Sequence, residues 1–433
     1  MSSASSDKII SSSKNGSSAS LSLPNSPFQR LAALLEDTQP SLSPIDLGVG
    51  EPRHQIPPFV GDVLTKNLAD FRRYPPIKGS AEFRNSVSRW LDKRYDLQGA
   101  INPENAILPL NGSREGLFFA LFEACRRKPV ESPIVFSPNP FYQTYAAAAS
   151  AAGCTFLSPP EFDQAELEGL PNFSAITAQT LENTVAVYVA SPANPQGNCA
   201  SKDYWTGLIK QAAKHNFMIF ADECYSEIYR ETPPIGILEA AMDIGSFANV
   251  ITFNSLSKRS NLPGLRAGFM AGDADFLTSL MKFRNMAAPQ VPLPVQAVAS
   301  AVYQDEEHVA ENRKLYNEKF QIAEEILSDV IPVSVPQGGF FLWLDCKDYA
   351  DGEALALHLW KNAGIRIIPG AYLTADESDQ MDVLQNRART KVRIALVHDL
   401  QTTKEALTRL KNCLINMPRD MYKANDTFEK ADR

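Results

Sequence analysis

A lysine lies between two groups able to hold an anion in the stretch Phe253-Asn254-Ser255-Leu256-Ser257-Lys258-Arg259-Ser260-Asn261-Leu262-Pro263-Gly264-Leu265-Arg266. Ser255 stands three residues before Lys258, and Arg266 eight residues after it, beyond a Pro-Gly break. A hydroxyl and a guanidinium hold phosphate through charge-assisted hydrogen bonds. Positive charge nearby lowers an amine's pKa and readies it to attack a carbonyl. A lysine on a loop is more often a solvated cation. Ser255 and Arg266 set beside that a Schiff-base lysine next to a bound phosphate, the arrangement pyridoxal phosphate requires, and this stretch alone leaves the two readings level.

Upstream, the apolar run Phe217–Ala221 ends in Asp222-Glu223-Cys224-Tyr225. In an open α/β sheet, carboxylates at the carboxyl end of a strand lie where ligands bind. One there can pair with a protonated pyridine nitrogen and keep the ring an electron sink. A helix-start carboxylate would explain an isolated Asp-Glu as well; the lysine stretch one strand later favours the functional role. Gly112-Ser113 opens a helix and so offers backbone N–H groups to an anion. Arg393 lies inside the apolar run Val392–Val397, a costly place unless it is paired, and a bidentate bond to a carboxylate would pair it.

With Asn194-Pro195, Asp222-x-x-Tyr225, Ser255-x-Ser257-Lys258 and Arg266, the chain resembles the class I/II aminotransferases of fold type I. Longer strings are similar to the N-succinyldiaminopimelate aminotransferase branch. These are Asn111 to Glu115, Ser137 to Tyr142, Asp222 to Tyr229 and Ser255 to Arg266. The resemblance covers roughly residues 28–415. It implies pyridoxal 5'-phosphate linked to Lys258, which also carries the α-proton, with Asp222 on the ring nitrogen. Asn194 and Tyr225 donate to the ring oxygen. Tyr142, with Phe141 as the adjacent alternative, stacks on the ring. The phosphate falls to Gly112, Ser113, Arg114, Ser255 and Arg266, joined by Tyr74 reaching across a homodimer. Gly50 and Arg393, with Asn194, take the substrate carboxylate. The reactants implied are an amino-acid donor and a 2-oxo acid acceptor, 2-oxoglutarate giving glutamate. In the branch the donor is N-succinyl-L,L-diaminopimelate, in lysine biosynthesis.

Three alternatives stand beside that reading. They are an aspartate or aromatic aminotransferase, a carbon–sulfur β-lyase on the same cofactor, and a cofactor-sensing regulator. The last needs a DNA-binding domain that the first 27 residues are too short and serine-rich to supply. Arg53, Arg72, Lys78 and Arg259 are the cations offered for a distal carboxylate.

Positioning these residues takes alternating strands and helices. Strands are expected at Ala106–Leu110, Pro133–Ser137, Thr184–Ala190, Phe217–Ala221, Val250–Phe253 and Leu265–Ala271. Helices are expected at Arg30–Glu36, Ala81–Tyr95, Arg114–Arg127, Lys202–Lys214, Glu239–Ala241 and Phe276–Asn285, with long helical segments from Gln296 to Leu327. Short loops between them mean an α/β fold with a mostly parallel sheet covered on both faces. Phe340–Leu344, Ile365–Pro369 and Val392–Val397 are strands, and Glu353–Ala363 a helix, of a smaller α+β domain. The expected division is a disordered serine-rich arm (1–27), a segment joining the small domain (28–58), a large cofactor domain (59–305), the small domain (306–420) and a polar tail (421–433).

The 433 residues are 44% hydrophobic and 21% charged with net charge −8, which argues against a nucleic-acid partner. Six scattered cysteines without a Cys-x-x-Cys pair suit free thiols in a reducing compartment, and five dispersed histidines suggest no metal site. No apolar run reaches membrane-spanning length. The first 26 residues, nearly half serine, lack the apolar middle of a secretory signal. With no arginine before Arg30 they read as a cytoplasmic protein's arm rather than a transit peptide.

Overall fold

The computed structural model describes residues 26–160, 162, 164, 167–374 and 388–417. The serine-rich arm, bar its last two residues, and the polar tail lie outside the described residues. The first third of the chain runs α1 (Pro27–Leu35), β1 (Ile45–Asp46), α2 (Val60–Lys66), α3 (Ala81–Tyr95), β2 (Ile107–Leu110), α4 (Ser113–Arg127), β3 (Ile134–Phe136), α5 (Gln143–Ala151) and β4 (Thr155–Leu157). Next come α6 (Ala178–Asn183), β5 (Thr184–Ala190), α7 (Lys202–His215), β6 (Met218–Asp222), α8 (Ile237–Ile244), β7 (Val250–Ser255), α9 (Leu256–Arg259), β8 (Gly268–Gly272), α10 (Ala274–Ala287) and α11 (Leu293–Gln304). The remainder is α12 (Glu307–Leu327), β9 (Phe341–Asp345), α13 (Gly352–Ala363), β10 (Ile365–Arg366), β11 (Ile368–Pro369), β12 (Lys391–Ala395) and α14 (Leu400–Ile415).

A seven-stranded sheet in the order β2-β8-β7-β6-β5-β3-β4 forms the larger layer among the described residues, and β8 runs antiparallel to both its neighbours while the other pairs are parallel. β5 (TVAVYVA) is buried along its whole length, as an unbroken apolar run must be when helices cover both faces of a parallel sheet. Local chemistry sets the helix ends. Ser201 accepts from Tyr204 N at the start of α7, and Asn216 takes the left-handed turn that ends it. Asp351 and Gly364 do the same for α13.

The register of β5, β6 and β7 aligns Ala190 with Asp222 and Asp222 with Phe253. The loops bearing Asn194, Tyr225 and Lys258 therefore leave the sheet side by side. A second core gathers around the antiparallel sheet β11-β12-β9, packed by α12, α13 and α14. The segment after α1 joins it through β1, which pairs parallel with β10. Ala395 N donates to Leu47 O at 2.7 Å, bringing residues 48–51 beside Arg393.

Several local expectations change. Lys258 lies in a single helical turn rather than a loop, because Ser255 caps α9 by accepting from Ser257 N. The strand expected at Leu265–Ala271 starts only at Gly268, since Pro263–Leu265 forms a 3-10 turn. The strand expected at Ile365–Pro369 is two short pieces in different sheets. The helical segments expected from Gln296 to Leu327 are present as α11 and α12, which part at Asp305–Glu306. The helix expected at Glu239–Ala241 extends to Ile237–Ile244.

Candidate active site

The ends of β5, β6 and β7, the first turn of α4 and residues 49–51 enclose a cavity of about 410 Å³. Gly50, Ser113, Arg114, Tyr142, Asn194, Asp222, Tyr225, Ser255, Lys258, Arg266 and Arg393 all line it. Gly112 stands just behind, and Tyr74, 97% exposed, does not line the cavity of its own chain. Arg53, Arg72, Lys78 and Arg259 do not line it either. Lys78 is paired with Glu104 at 3.0 Å and buried Arg259 with Glu306 at 2.6 Å, so these two are engaged in structure.

Lys258 points its amine at the carbonyl oxygen of Gly50 and over the ring of Phe340. Burial pushes its pKa down to about 8, with Arg393 and Arg266 adding to the fall. Asn312 donates to the carbonyls of both Lys258 and Arg259 at 3.3 Å, and His54 holds Asn312 in turn through a 2.6 Å bond. The backbone carrying the amine is thus tied to α12.

Asp222 is buried, and burial raises its pKa against the pull of Cys224, Tyr145 and Lys258. Tyr145 O–H donates to its Oδ2 at 2.7 Å, and Cys224 N lies 3.3 Å from Oδ1. A buried carboxylate with a raised pKa is suited to a cationic N–H partner. Glu223 faces the other way, accepting from Tyr95 O–H, Thr252 O–H and Ile237 N, which separates the two acidic neighbours in role. Tyr225 packs edge-on to Phe340 and Phe341, and burial holds its phenol well above the usual range, keeping it a donor.

Gly112 takes φ +78 as it opens α4, and a Cβ there would lie 2.1 Å from a guanidinium nitrogen of Arg266. Arg266, itself left-handed at φ 54, donates to Pro263 O at 2.9 Å and to Asn111 O at 3.2 Å. Buried Arg284 pairs with Glu115 at 2.7 Å, and Glu115 accepts from Asn111 N at 3.0 Å, fixing the turn from α10. Breaking such a buried pair costs about 3–5 kcal/mol. Arg114 donates Nε to Tyr142 O–H at 2.7 Å, while Phe141 packs against Phe156. Arg393 donates to Gly48 O at 2.9 Å and Asn194 Oδ1 at 3.4 Å and stacks over Phe341, yet its buried Nε has no partner among the described residues.

Tyr145, Glu115, Arg284 and Asn312 are supports that motif reading passed over. Glu115 closes the string Asn111 to Glu115 without having been given a role, and the three-residue step from Tyr142, the cap of α5, to Tyr145 hinted at a second.

A lowered-pKa lysine facing a cluster of phosphate-type donors and a buried carboxylate defines a protein that handles a phosphorylated carbonyl compound. Residues 43–410 match the family model of aminotransferase class I and II, and the chain belongs to that family. It is 29% identical to the LL-diaminopimelate aminotransferase of Maridesulfovibrio salexigens over 372 residues, 84% of this chain and 90% of that one. Its structure matches an aminotransferase from Neisseria meningitidis with TM-score 0.83 at 37% identity, covering 90% of this chain and 98% of that one. A probable N-succinyldiaminopimelate aminotransferase of Thermus thermophilus shares the fold at TM-score 0.77 and 23% identity, over 90% of this chain and 100% of that one. The enzyme is therefore a pyridoxal-phosphate-dependent aminotransferase, transferring an amino group from a donor to a 2-oxo acid.

The residues fit that cofactor. A Cβ at Gly112 would meet the Arg266 guanidinium in the cup, and buried Asp222 lines the cavity with a carboxyl that can pair with a ring N–H. Gly112→Ala should push Arg266 aside and raise the Kd for pyridoxal phosphate about 10-fold, ~1.4 kcal/mol. Fluorescence titration of the cofactor-free protein measures it; an unchanged Kd would contradict the cup.

Proposed function

We propose that this chain is an N-succinyl-L,L-diaminopimelate:2-oxoglutarate aminotransferase, working as a cytoplasmic homodimer. The observation that carries the donor choice is the cavity lining. Arg114, Lys258, Arg266 and Arg393 face Asp222 and Glu51, and Pro27, Phe28, Phe141, Phe341 and Leu373 add apolar wall. Asp222 is reserved for the cofactor ring, which leaves Glu51 as the further carboxylate that the described residues bring to the lining. Such a site suits a donor whose distal amine is capped and whose far end is an anion. Arg114 would read that anion: its backbone belongs to the helix start, while its guanidinium is turned to Tyr142. A second reading, an LL-diaminopimelate aminotransferase, is favoured by the name of the relative from Maridesulfovibrio salexigens.

When bound, pyridoxal phosphate supplies an aldehyde that takes up the amino group and a ring that draws electrons from the α-carbon. Lys258 is the residue whose Nζ would hold that aldehyde and, once free, would carry the α-proton of the donor. Asp222, held by Tyr145, would keep the ring nitrogen protonated. Tyr225 and Asn194 would donate to the ring oxygen, and Tyr142 would cover the ring. Ser255, Arg266 and the Gly112–Arg114 turn would hold the phosphate, with Tyr74 supplied by the second subunit. The exposure of Tyr74 supports that last role. The Arg393 guanidinium and the Gly50 N–H orient the α-carboxylate. For the domains we keep the division into 28–58 and 306–420 against 59–305, supported by Ile45 and Leu47 lying in one core with residues 320–417.

A donor screen with 2-oxoglutarate tests the reading. We expect kcat/KM for N-succinyl-L,L-diaminopimelate to exceed that for LL-diaminopimelate, aspartate and phenylalanine by about 10-fold or more. Arg114→Ala should raise KM for that donor about 10-fold, the scale of one charged hydrogen bond. Preference for LL-diaminopimelate would support the second reading. Pyruvate released from cystathionine without an acceptor would indicate a lyase.

A further inference from the structure

Cys125 and Cys154 are far apart in sequence and meet in the fold, their sulfurs 3.4 Å apart. Cys125 lies in the last turn of α4. Cys154 follows the turn that closes α5, where Gly153 takes φ +69 and Cys154 N donates to Ala149 O at 2.9 Å. That turn folds Cys154 back onto α4. Both thiols are free and half-buried, at the edge of the core rather than inside it. The two sulfurs share a hydrogen bond in which either can be the donor; it holds the Cys125 thiol below its usual pKa and favours Cys125 as the nucleophile of the pair.

We propose that Cys125 and Cys154 form a reversible dithiol–disulfide modification site, oxidised by a low-molecular-weight disulfide of the glutathione class. The Cys125 thiolate attacks one sulfur of the reagent, breaks its S–S bond and releases one thiolate, leaving a mixed disulfide on Cys125. The Cys154 sulfur then attacks that of Cys125 and expels the second thiolate. Two protein thiols are oxidised and one reagent disulfide is reduced to two thiols, which take up the two protons. Closing the sulfurs from 3.4 Å to a bond of about 2.05 Å asks for a shift of about 1.4 Å, within reach of rotation at a helix end and a turn.

The bond would join the far ends of two helices whose near ends serve the cavity. α4 begins at the Gly112–Arg114 turn, and α5 begins next to Tyr142. The core between them holds Tyr188, stacked at 4.4 Å on the Tyr145 that bonds Asp222. Oxidation therefore clamps the pair of helices behind the cofactor cup, and slower release of the cofactor is expected. The covalent claim does not depend on the substrate assignment.

The test incubates the holoenzyme with oxidised glutathione, then counts thiols after denaturation and maps peptides by mass spectrometry. The expected result is loss of two thiols per chain, one Cys125–Cys154 cross-linked peptide, and full recovery with dithiothreitol. Cys154→Ser keeps a hydroxyl donor and should stop at one glutathione bound to Cys125. Cys125→Ser should lose no thiol at position 154. A stable mixed disulfide on the wild-type protein, a cross-link between chains, or a pairing with another cysteine would overturn the proposal.

Discussion

Replacing Lys258 with alanine lowers kcat by on the order of 10⁵-fold or more, the scale at which deletions of a covalent nucleophile fall. In the proposed mechanism the loss is this large because one amine serves twice, as the covalent anchor and as the carrier of the α-proton. The fold survives, because α9 is capped by Ser255 and held by Asn312 through backbone carbonyls that alanine keeps. Circular dichroism and Tm near those of the parent, with turnover gone, are the expected pair of readouts. The amine's environment adds a pH dependence. In cofactor-free protein the Lys258 pKa is lowered to about 8 by burial. Below that pH the amine is protonated and unreactive, so cofactor uptake should rise about 10-fold per pH unit and level off above pH 8. An ordinary lysine would go on gaining rate toward about pH 10.

Arg393→Gln is expected to lower kcat/KM about 10²–10³-fold for every α-amino acid donor, ~3–4 kcal/mol of transition-state binding. Burial pushes this guanidinium's pKa down to about 10, so it remains charged at neutral pH. Its Nε lies buried without a partner among the described residues, and Phe341 covers its face, which leaves the fork to be paired by a carboxylate in the cavity. Lys is not a conservative exchange, because an ammonium cannot reproduce the planar fork. A primary amine without a carboxylate should react equally slowly with parent and variant. A matching loss for that amine would show that Arg393 supports the fold instead.

The fold class was legible because buried runs such as TVAVYVA and the loops at their carboxyl ends are local in sequence. The family motifs sit on those same loops, and this is why the resemblance could name eleven of the residues that line the cavity. What was not legible depends on register between distant segments. Ile365–Pro369 looks like one strand, but Ile365–Arg366 pairs with β1 and Ile368–Pro369 with β12. The helical turn holding Lys258 is four residues long, too short for any periodicity to announce it. Tyr145 supports Asp222 across 77 positions of sequence, and Arg284 steadies Glu115 across 169. The thiol pair likewise became visible only once Gly153 had turned the chain back on α4.

Borohydride reduction of the holoenzyme, followed by proteolysis and mass spectrometry, tests the central claim most directly, because it fixes whatever lysine carries the cofactor. The phosphopyridoxyl mass should appear on the peptide containing Lys258, at one per chain. Stoichiometric label on any other lysine, or none at all in active holoenzyme, would contradict the account.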